Sequence, residues 1–382
     1  MYMIYLDNSA TTKPYNEVLD SFVKVSTDFY GNPSSLHGLG MKAEQILTQA
    51  RENSAKQLGC KPSEVIFTSG GSEGNSLAIK GSALFNKGRG NHIITTGVEH
   101  PSVTEACKQL EQHGFTISYI QPNNNGIISV DDIKREIRDD TILISVIHIN
   151  NEIGAIQPIE DIGNLLRQYP KILFHVDHVQ GVGKVNLDFA KAGIDLCTIS
   201  GHKFHGLKGT GILYVRTGVS LTPLISGGAQ ENNFRSGTEN IGGAVALSKA
   251  LRLTVENKEK TVHRMNKIKE RYITKLSKLG SISINTPSNF SAPHIINFSI
   301  NGLKSEVFVH MLEEYGIYVS TTSACSSKKK APSKTLLAMG KDEKTATSSI
   351  RISLSYLNKL EEVDIVVAAI ADSISKLEKI MR

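Results

Sequence analysis

Between about residues 62 and 255, short apolar runs alternate with amphipathic stretches. The runs are rich in β-branched residues, as buried strands are, and the stretches between them carry apolar residues at helical spacing. This alternation predicts βαβ units and a largely parallel sheet with helices on both faces. Only a glycine-rich loop separates the last two strands, so that pair can be antiparallel. The predicted strands are 64–68, 92–95, 116–120, 142–148, 172–176, 196–200 and 210–215, with helices at 75–86, 102–113 and 159–168.

From about residue 241 the pattern changes to one long helix that reaches past Arg271. A chain of 382 residues exceeds the size at which a single core stops growing. We therefore predict an α/β protein with a large domain at 15–255, built on a mainly parallel seven-stranded sheet, and a smaller α+β domain at 256–382. Residues 1–14 are expected to pack against the small domain or over the active site. The predicted elements of the small domain are strands 295–300, 317–321 and 350–355 and helices 305–315 and 360–380.

Composition and charge are ordinary for a soluble enzyme. Apolar residues make up 40% of the chain and charged residues 21%, and the net charge of +6 is scattered. The only basic run is Lys328–Lys330, so no direct nucleic-acid binding is predicted. The four cysteines lie far apart and lack zinc-site spacing, which favours a reducing compartment and argues against disulfides and a metal. No apolar run reaches membrane-spanning length, and we predict a cytoplasmic protein.

The most informative segment is 198–211, which reads TISGHKFHGLKGTG. A strand pattern runs directly into Lys203, and a glycine-rich turn follows. An ammonium group is costly to bury without a partner, so a lysine at the end of a buried strand suggests covalent chemistry. A desolvated amine can form a Schiff base with an aldehyde. The alternative is an exposed lysine in a basic turn.

Ligands of open α/β sheets bind outside the carboxyl ends of the strands. The first predicted strand leads into Gly71 and Ser72 ahead of a helix, where free backbone N–H groups and hydroxyls can hold a phosphate. The fifth leads into Asp177, a carboxylate that is expensive to bury without a nearby cation. His100 and Asn151 follow two other strands; the first is either a structural histidine or a flat ring for an aromatic ligand, and the second either binds a ligand oxygen or shapes a turn.

A lysine that can form a Schiff base, a buried aspartate and a phosphate cradle are together what pyridoxal 5′-phosphate requires. The lysine holds the aldehyde, the aspartate keeps the pyridine nitrogen protonated, and the cradle holds the phosphate. The order of Lys203, Asp177 and the loop 68–74 along the chain therefore predicts a site for this cofactor.

The second half of the chain adds a thiol and a cation. Cys325 lies among small polar residues next to Lys328–Lys330, where an exposed thiolate is favoured and reactive. The other three cysteines lie in amphipathic or strand contexts and are expected to be inert. Arg351 alternates with apolar neighbours on a strand and suits the capture of a carboxylate. Thr238, in a polar loop before the long helix, is by itself a helix-capping residue.

Taken in order, these motifs resemble the cysteine desulfurases, pyridoxal-phosphate enzymes of the class V aminotransferase group with fold type I. The resemblance extends over nearly the whole chain, and SACSS is similar to the branch whose cysteine lies on a long loop. The motifs are YLDNSATT at 5–12, GNPSSLH at 31–37, TSGGSEGN at 68–75, EHPS at 99–102, NNEIG at 150–154, HVDHVQ at 175–180, HKFHGLKGTG at 202–211, RSGTEN at 235–240 and SACSS at 323–327.

The resemblance implies a role for each site residue. Lys203 would hold the cofactor covalently, Asp177 would pair with its pyridine nitrogen and His100 would stack on its ring. Cys325 would receive the sulfur. The substrate carboxylate would bind Asn32 and Arg351; Gln180 and Asn151 would reach the phenolic oxygen and the substrate; Gly71, Ser72, Ser200 and His202 would hold the phosphate, together with Thr238 of the partner subunit in a homodimer.

Departures from the family pattern are few and remove no reactive group. Ser72 stands where Thr is usual, Leu207 replaces a Pro and Ala229 replaces a Gly. His178 replaces a small residue, but it should face away from the cofactor, because Asp177 and residue 179 share the opposite face of the strand.

We therefore predict the conversion of L-cysteine to L-alanine, with the sulfur stored as a Cys325 persulfide. It would supply an iron–sulfur scaffold or a tRNA-thiolating enzyme. The alternatives are a selenocysteine lyase, another class V transaminase or lyase that does not need Cys325, and a non-catalytic scaffold that needs neither Lys203 nor Asp177. Lys328–Lys330 is either a solvated loop face or a surface that steers an acidic acceptor.

Overall fold

The computed structural model of the chain describes residues 3–321 and 331–381. Its strands are β1 (Ile4–Tyr5), β2 (Val65–Thr68), β3 (His92–Thr96), β4 (Thr116–Ile120), β5 (Thr141–Ile147), β6 (Leu173–Asp177), β7 (Leu196–Ser200), β8 (Gly211–Val215), β9 (Ile282–Ile284), β10 (Ile295–Ile300), β11 (Ile317–Tyr318) and β12 (Ser349–Ser353). Its helices are α1 (Asn16–Asp28), α2 (Gly38–Leu58), α3 (Gly71–Ser76), α4 (Ser82–Asn86), α5 (Pro101–Glu111), α6 (Val130–Glu136), α7 (Ile159–Leu166), α8 (Ile241–Glu256), α9 (Lys258–Leu276), α10 (Ser305–Glu314), α11 (Lys334–Ala338), α12 (Glu343–Thr347) and α13 (Glu362–Met381).

The central sheet has seven strands in the order β2-β8-β7-β6-β5-β3-β4. Its neighbouring strands are parallel except for β8, which runs antiparallel to both β2 and β7. The predicted α/β fold with a mainly parallel seven-stranded sheet is confirmed. Because β5, β6 and β7 are adjacent and parallel, the segments that follow them meet at one edge of the sheet.

The alternation of side chains along each strand decides which helices cover which face. Ile93 and Leu143 pack in an apolar cluster with residues of α5. Their sequence neighbours Ile94 and Ile144 point the other way and join a larger cluster with residues of α7 and α8. Both faces of the sheet are therefore buried, which is why β3 and β5 read as continuous apolar runs.

The single long helix predicted from residue 241 past Arg271 is wrong. The chain forms two helices, α8 and α9, which meet at Asn257. Asn257 leaves helical geometry (φ −99°, ψ 5°), and its side-chain Nδ2 donates to the carbonyl of Leu253 at 2.8 Å. A side-chain bond of this kind competes with the backbone ladder, so the helix ends although apolar spacing continues.

Other predicted bounds shift by a few residues. The helix expected at 75–86 begins at Gly71 and contains a π-turn at Leu77–Gly81 before α4. It begins early because Gly70, with φ of 148°, turns the chain sharply out of β2. The strands expected at 317–321 and 350–355 end sooner, at Tyr318 and Ser353.

The amino-terminal segment joins the carboxy-terminal part of the chain. β1 pairs in parallel with β11, and Asp7 forms an isolated bridge with Ser353 of β12. β12, β10 and β9 form a second sheet, which packs in its own apolar cluster with residues of α9, α10 and α13. Within the described residues, no helix is both long and apolar enough to cross a membrane.

Candidate active site

A cavity of about 170 Å³ opens at the edge of the sheet where β5, β6 and β7 end. The strands bring together side chains that are far apart in sequence, because each strand delivers the residues that follow it to this edge. The cavity is lined by Ser9, Ala10, Gly71, Ser72, Asn75, His100, Ser102, Ile147, Asn151, Asp177, Val179, Gln180, Ser200, His202, Lys203 and Arg351.

Lys203 reaches this cavity from a 3₁₀ turn, Gly201–Lys203, that follows β7 directly. Its Nζ donates to the carbonyl oxygens of Ser9 at 2.5 Å and Ala10 at 2.8 Å. Two residues after this turn lies His205, whose φ of 66° is in the left-handed region. The amino-terminal segment therefore contacts the amine of Lys203 directly. The sequence motif at 5–12 gave no indication of this contact.

Asp177 is 3% exposed at the end of β6. Its Oδ2 accepts from Asn75 Nδ2 at 2.8 Å, and its Oδ1 accepts from the backbone N–H of Val179 at 3.0 Å. His178 lies outside the cavity and pairs with His148 instead, with 2.7 Å between their Nδ1 atoms. Burial lowers the pKa of both histidines. Asp177 is therefore the ionisable side chain that this part of the chain presents to the cavity.

His100 is the N-cap residue of α5. Its Nδ1 accepts from the backbone N–H of Ser102 at 3.1 Å and lies 2.8 Å from the Ser102 hydroxyl, which in turn accepts from Asn75 Nδ2. Because Nδ1 is an acceptor, a neutral ring carries its proton on Nε2. Burial lowers the pKa of His100, although Asp177 opposes the shift. Asn75 thus links the carboxylate and the ring in one hydrogen-bond network.

The glycine-rich turn after β2 forms another wall of the cavity. A Cβ at Gly71 would lie 3.0 Å from Val179 Cγ2 and 3.5 Å from Ser200 Cβ, so the backbone here passes close to its neighbours. Ser72, Ser200 and His202 line the same space. Burial lowers the pKa of His202 to about 4, so its ring is neutral near pH 7.

Arg351 of β12 is only 1% exposed. Its Nη1 donates to the Asn151 carbonyl and its Nη2 to Asp7 Oδ1, each at 2.8 Å. Its Nε is buried and has no hydrogen-bond partner within the described residues. Gln180 donates to the Ser9 carbonyl at 3.0 Å and lies 3.3 Å from His294 Nε2. The guanidinium of Arg351 lines the cavity, and its bonds to Asn151 and Asp7 use two of its five N–H donors.

Not every residue assigned by resemblance lies here. Asn32 is exposed, and its side chain accepts from the backbone N–H of Ser34 at 2.9 Å, outside the cavity. Thr238 is also exposed and lies outside the cavity of its own chain. Cys325 and Lys328–Lys330 lie outside the described residues. The cavity within one chain thus contains the residues expected at the cofactor, except Thr238.

Six residues of the cavity carry no role in the sequence-based prediction, and two of them, Ile147 and Val179, are apolar. Ser9 and Ala10 contribute backbone carbonyls, which leave no sequence signal. Ser102 lies in the first turn of α5, where hydroxyls are common as caps, and Asn75 is the fifth residue of α3. A polar side chain one turn into a buried helix is the signal that could have singled out Asn75, which is 1% exposed.

Comparisons with known proteins agree with this geometry. The chain belongs to the family of class-V aminotransferases, whose model matches residues 4–366. It is 43% identical over 380 residues to a "NifS/IcsS protein homolog" of Lactobacillus delbrueckii subsp. bulgaricus, covering 99% of both chains. It is 40% identical over 378 residues to "Cysteine desulfurase IscS" of Dictyoglomus turgidum, covering 99% of this chain and 96% of the relative.

A solved structure of a "NifS-like protein" superimposes with a TM-score of 0.92 at 37% identity, covering 98% of this chain and 100% of that one. The resemblance to cysteine desulfurases that the motifs predicted is thereby confirmed.

Proposed function

We propose that the protein is a pyridoxal-phosphate-dependent cysteine desulfurase, which converts L-cysteine to L-alanine and transfers the sulfur to Cys325. The observation that carries the proposal is the convergence of Lys203, Asp177 and Arg351 on one cavity, in a chain 40% identical to a protein named cysteine desulfurase. A non-catalytic scaffold would need none of these three side chains.

The cavity suits pyridoxal 5′-phosphate at each of its functional parts. Lys203 would hold the aldehyde carbon, Asp177 the pyridine nitrogen and His100 one face of the ring. Gly71, Ser72, Ser200 and His202 would hold the phosphate, and the absence of a side chain at Gly71 keeps that wall open. When bound, this cofactor forms a covalent link to the substrate amino group and withdraws electrons from its Cα.

The substrate is held and deprotonated by groups of the chain itself. Arg351 would bind the carboxylate of cysteine through N–H groups of its guanidinium that the bonds to Asn151 and Asp7 leave unused. Lys203, released from its covalent role, would take the proton from Cα. Asn32 would reach the same carboxylate from its exposed loop.

Sulfur transfer follows from the chemistry of the thiols. The Cys325 thiolate attacks the sulfur of the substrate, the Cβ–S bond breaks, and its electron pair stays on Cβ, which takes up a proton. The products are alanine and a Cys325 persulfide, so no external oxidant or reductant is needed. The described cysteines are poor candidates, because burial raises the pKa of Cys60 and Cys107 to about 12 and that of Cys197 well above the ordinary value of a thiol.

The partners are L-cysteine, a sulfur-accepting protein and a second copy of the chain. Thr238 is exposed and does not line the cavity of its own chain, which supports a role in the phosphate site of a partner subunit. The acceptor would be an iron–sulfur scaffold or a tRNA-thiolating enzyme, in a reducing compartment such as the cytoplasm. A selenocysteine lyase remains the second candidate, because the same cavity would bind selenocysteine.

The sulfur acceptor can be identified by mass spectrometry. Wild-type protein treated with cysteine and no reductant should gain one sulfur atom on the peptide that contains Cys325. Cys325→Ser should still change its visible spectrum when cysteine is added, since binding needs only Lys203, Asp177 and Arg351. Its alanine release should fall by about 100-fold or more, because a hydroxyl cannot accept the sulfur.

Cys60→Ser is the matched control and should release alanine at the wild-type rate. A Cys325→Ser protein that releases alanine from cysteine as fast as the wild type would contradict the persulfide step and favour a simple lyase. Cysteine is the substrate to use, since selenium leaves more readily than sulfur.

A further inference from the structure

A second lysine lies directly behind Lys203. Lys184 follows β6, and its Nζ donates to the backbone carbonyl of Lys203 at 2.9 Å. Burial, together with the nearby charge of Lys203, lowers the pKa of Lys184 to about 7. Among the described residues Lys184 forms no ion pair with a carboxylate. Burying a protonated amine without a carboxylate partner costs free energy, so the position of Lys184 beside Lys203 suggests a functional role.

The segment 202–205, which carries Lys203, is held by hydrogen bonds at four successive backbone carbonyl groups. Each carbonyl accepts a hydrogen bond from a different residue, two of them in the amino-terminal segment, and the last of the four residues is His205 in its left-handed conformation. Lys184 provides the one charged donor of the four. The bonds run from Thr12 N–H to His202 at 2.9 Å, from Lys184 Nζ to Lys203 at 2.9 Å, from Thr254 Oγ1 to Phe204 at 3.0 Å and from Tyr15 N–H to His205 at 3.0 Å.

The histidines near the two lysines add little charge to their surroundings. Burial lowers the pKa of each histidine near them, so these rings are neutral around pH 7. Asp177 and Arg351 line the same cavity as Lys203. The histidines are His100 from the segment before α5, His178 from the segment after β6, His202 and His205 from the segment 202–205, and His294 from the segment before β10.

We propose that Lys184 is a positioning residue for Lys203: it fixes the peptide group that carries the amine and, when protonated, places a second positive charge beside it. Like charges disfavour each other, so the amine of Lys203 gives up its proton more readily than it otherwise would. This inference rests on the proposed function, in that Lys203 is taken as the lysine that binds the cofactor.

The test is a pH titration of the visible absorbance of the holoenzyme, with alanine release as a second readout. Lys184→Met removes both the hydrogen bond and the charge, and should raise the titration midpoint by about one pH unit, a tenfold change in proton affinity. Lys184→Gln keeps an N–H donor without the charge and should shift the midpoint in the same direction. Lys184→Arg should restore the wild-type midpoint.

Thr254→Val is the matched control, because it removes the hydrogen bond to the next carbonyl without changing any charge. It should lower the thermal unfolding temperature as Lys184→Met does, but leave the midpoint unchanged. An equal shift in Thr254→Val would overturn the inference, since the cause would then be a loosened turn. If Lys184→Met does not fold, Lys184→Gln decides in the same way.

Borohydride reduction followed by mass spectrometry tests the assignment of Lys203 separately from the role of Lys184. Cofactor fixed to a lysine other than Lys203 overturns the assignment of Lys203 and this inference with it. Cofactor fixed to Lys203, together with an unchanged midpoint in Lys184→Met and Lys184→Gln, overturns the inference alone.

Discussion

At the scale of single residues, burial decides the charge of the groups around the cavity. Glu99 precedes His100, and its Oε1 accepts from the backbone N–H of Ile147 and the hydroxyl of Thr96, each at 2.8 Å. Its Oε2 is buried without a partner within the described residues. Burial, together with the charge of the neighbouring Asp177, raises the pKa of Glu99 to about 8. Near pH 7 this side chain is therefore mostly protonated.

Glu99→Gln should flatten the pH dependence of stability. Below about pH 4.5, the ordinary value for Glu, the carboxyl is protonated in both folded and unfolded chains. As the pH rises from there to about 8, only the unfolded chain ionises, so the folded wild type loses stability. The free energy of unfolding of the wild type should fall by an amount on the order of 3 kcal/mol, whereas the Glu99→Gln protein, which has no carboxyl group here, should not show this fall. Urea unfolding at pH 5 and pH 8 measures it; equal pH dependence in both proteins would contradict a protonated Glu99.

At the scale of elements, the turn from β2 into α3 shapes the wall assigned to the phosphate. Gly70 adopts a φ of 148°, which side chains rarely allow, and Gly71 begins the helix beside Val179 and Ser200. The helix therefore starts closer to the sheet than a turn built from larger residues would permit. The backbone N–H groups of its first turn are left to serve a ligand.

Gly71→Ala should weaken the binding of pyridoxal 5′-phosphate about tenfold. The added Cβ would lie 3.0 Å from Val179 Cγ2, so the turn or Val179 must shift away from the cavity. Titration of cofactor-free protein with pyridoxal 5′-phosphate measures the affinity. Gly88→Ala is the control, because a Cβ there meets nothing within 4 Å. Unchanged affinity in Gly71→Ala would argue that the phosphate lies elsewhere.

At the scale of the whole molecule, one surface of the chain remains apolar. The segment that enters α2 exposes three large apolar side chains, Leu36 at 97%, Leu39 at 44% and Met41 at 58%. Nearby in sequence lies Asn32, one of the residues assigned to the substrate. Apolar side chains grouped in this way are typical of an interaction surface. They support a homodimer in which exposed residues such as Thr238 complete the site of the other subunit.

Leu36→Asp should convert the protein to a monomer with much weaker cofactor binding. A charge in an apolar interface is costly to desolvate, and the monomer loses Thr238 of the partner subunit at its phosphate site. Sedimentation velocity reports the oligomeric state at the assay concentration, and alanine release reports the activity. Ile365→Asp, at a side chain of α13 that is 56% exposed, should change neither. A fully active monomer would contradict the shared site.

The sequence alone determined the strands of the central sheet and the chemistry at their ends. Both follow from local rules, because a buried strand must be apolar and a turn that holds phosphate needs glycine and hydroxyl groups. β4 and β7 have the predicted bounds. Lys203 and Asp177 stand out because a charged side chain at the end of a buried strand is costly unless it serves a purpose.

Only the tertiary structure decided which distant segments meet there. The carbonyl of Ser9 contacts Lys203 across 194 residues, and Asp7 binds Arg351 across 344. The bond from Lys184 to the carbonyl of Lys203 likewise joins segments whose proximity the sequence does not reveal. The spacing of apolar residues indicates which face of a helix or strand is buried, but not which other element packs against that face. Contacts between remote segments depend on where the packed elements place their backbone and side-chain groups. This spatial arrangement exists only in the folded chain.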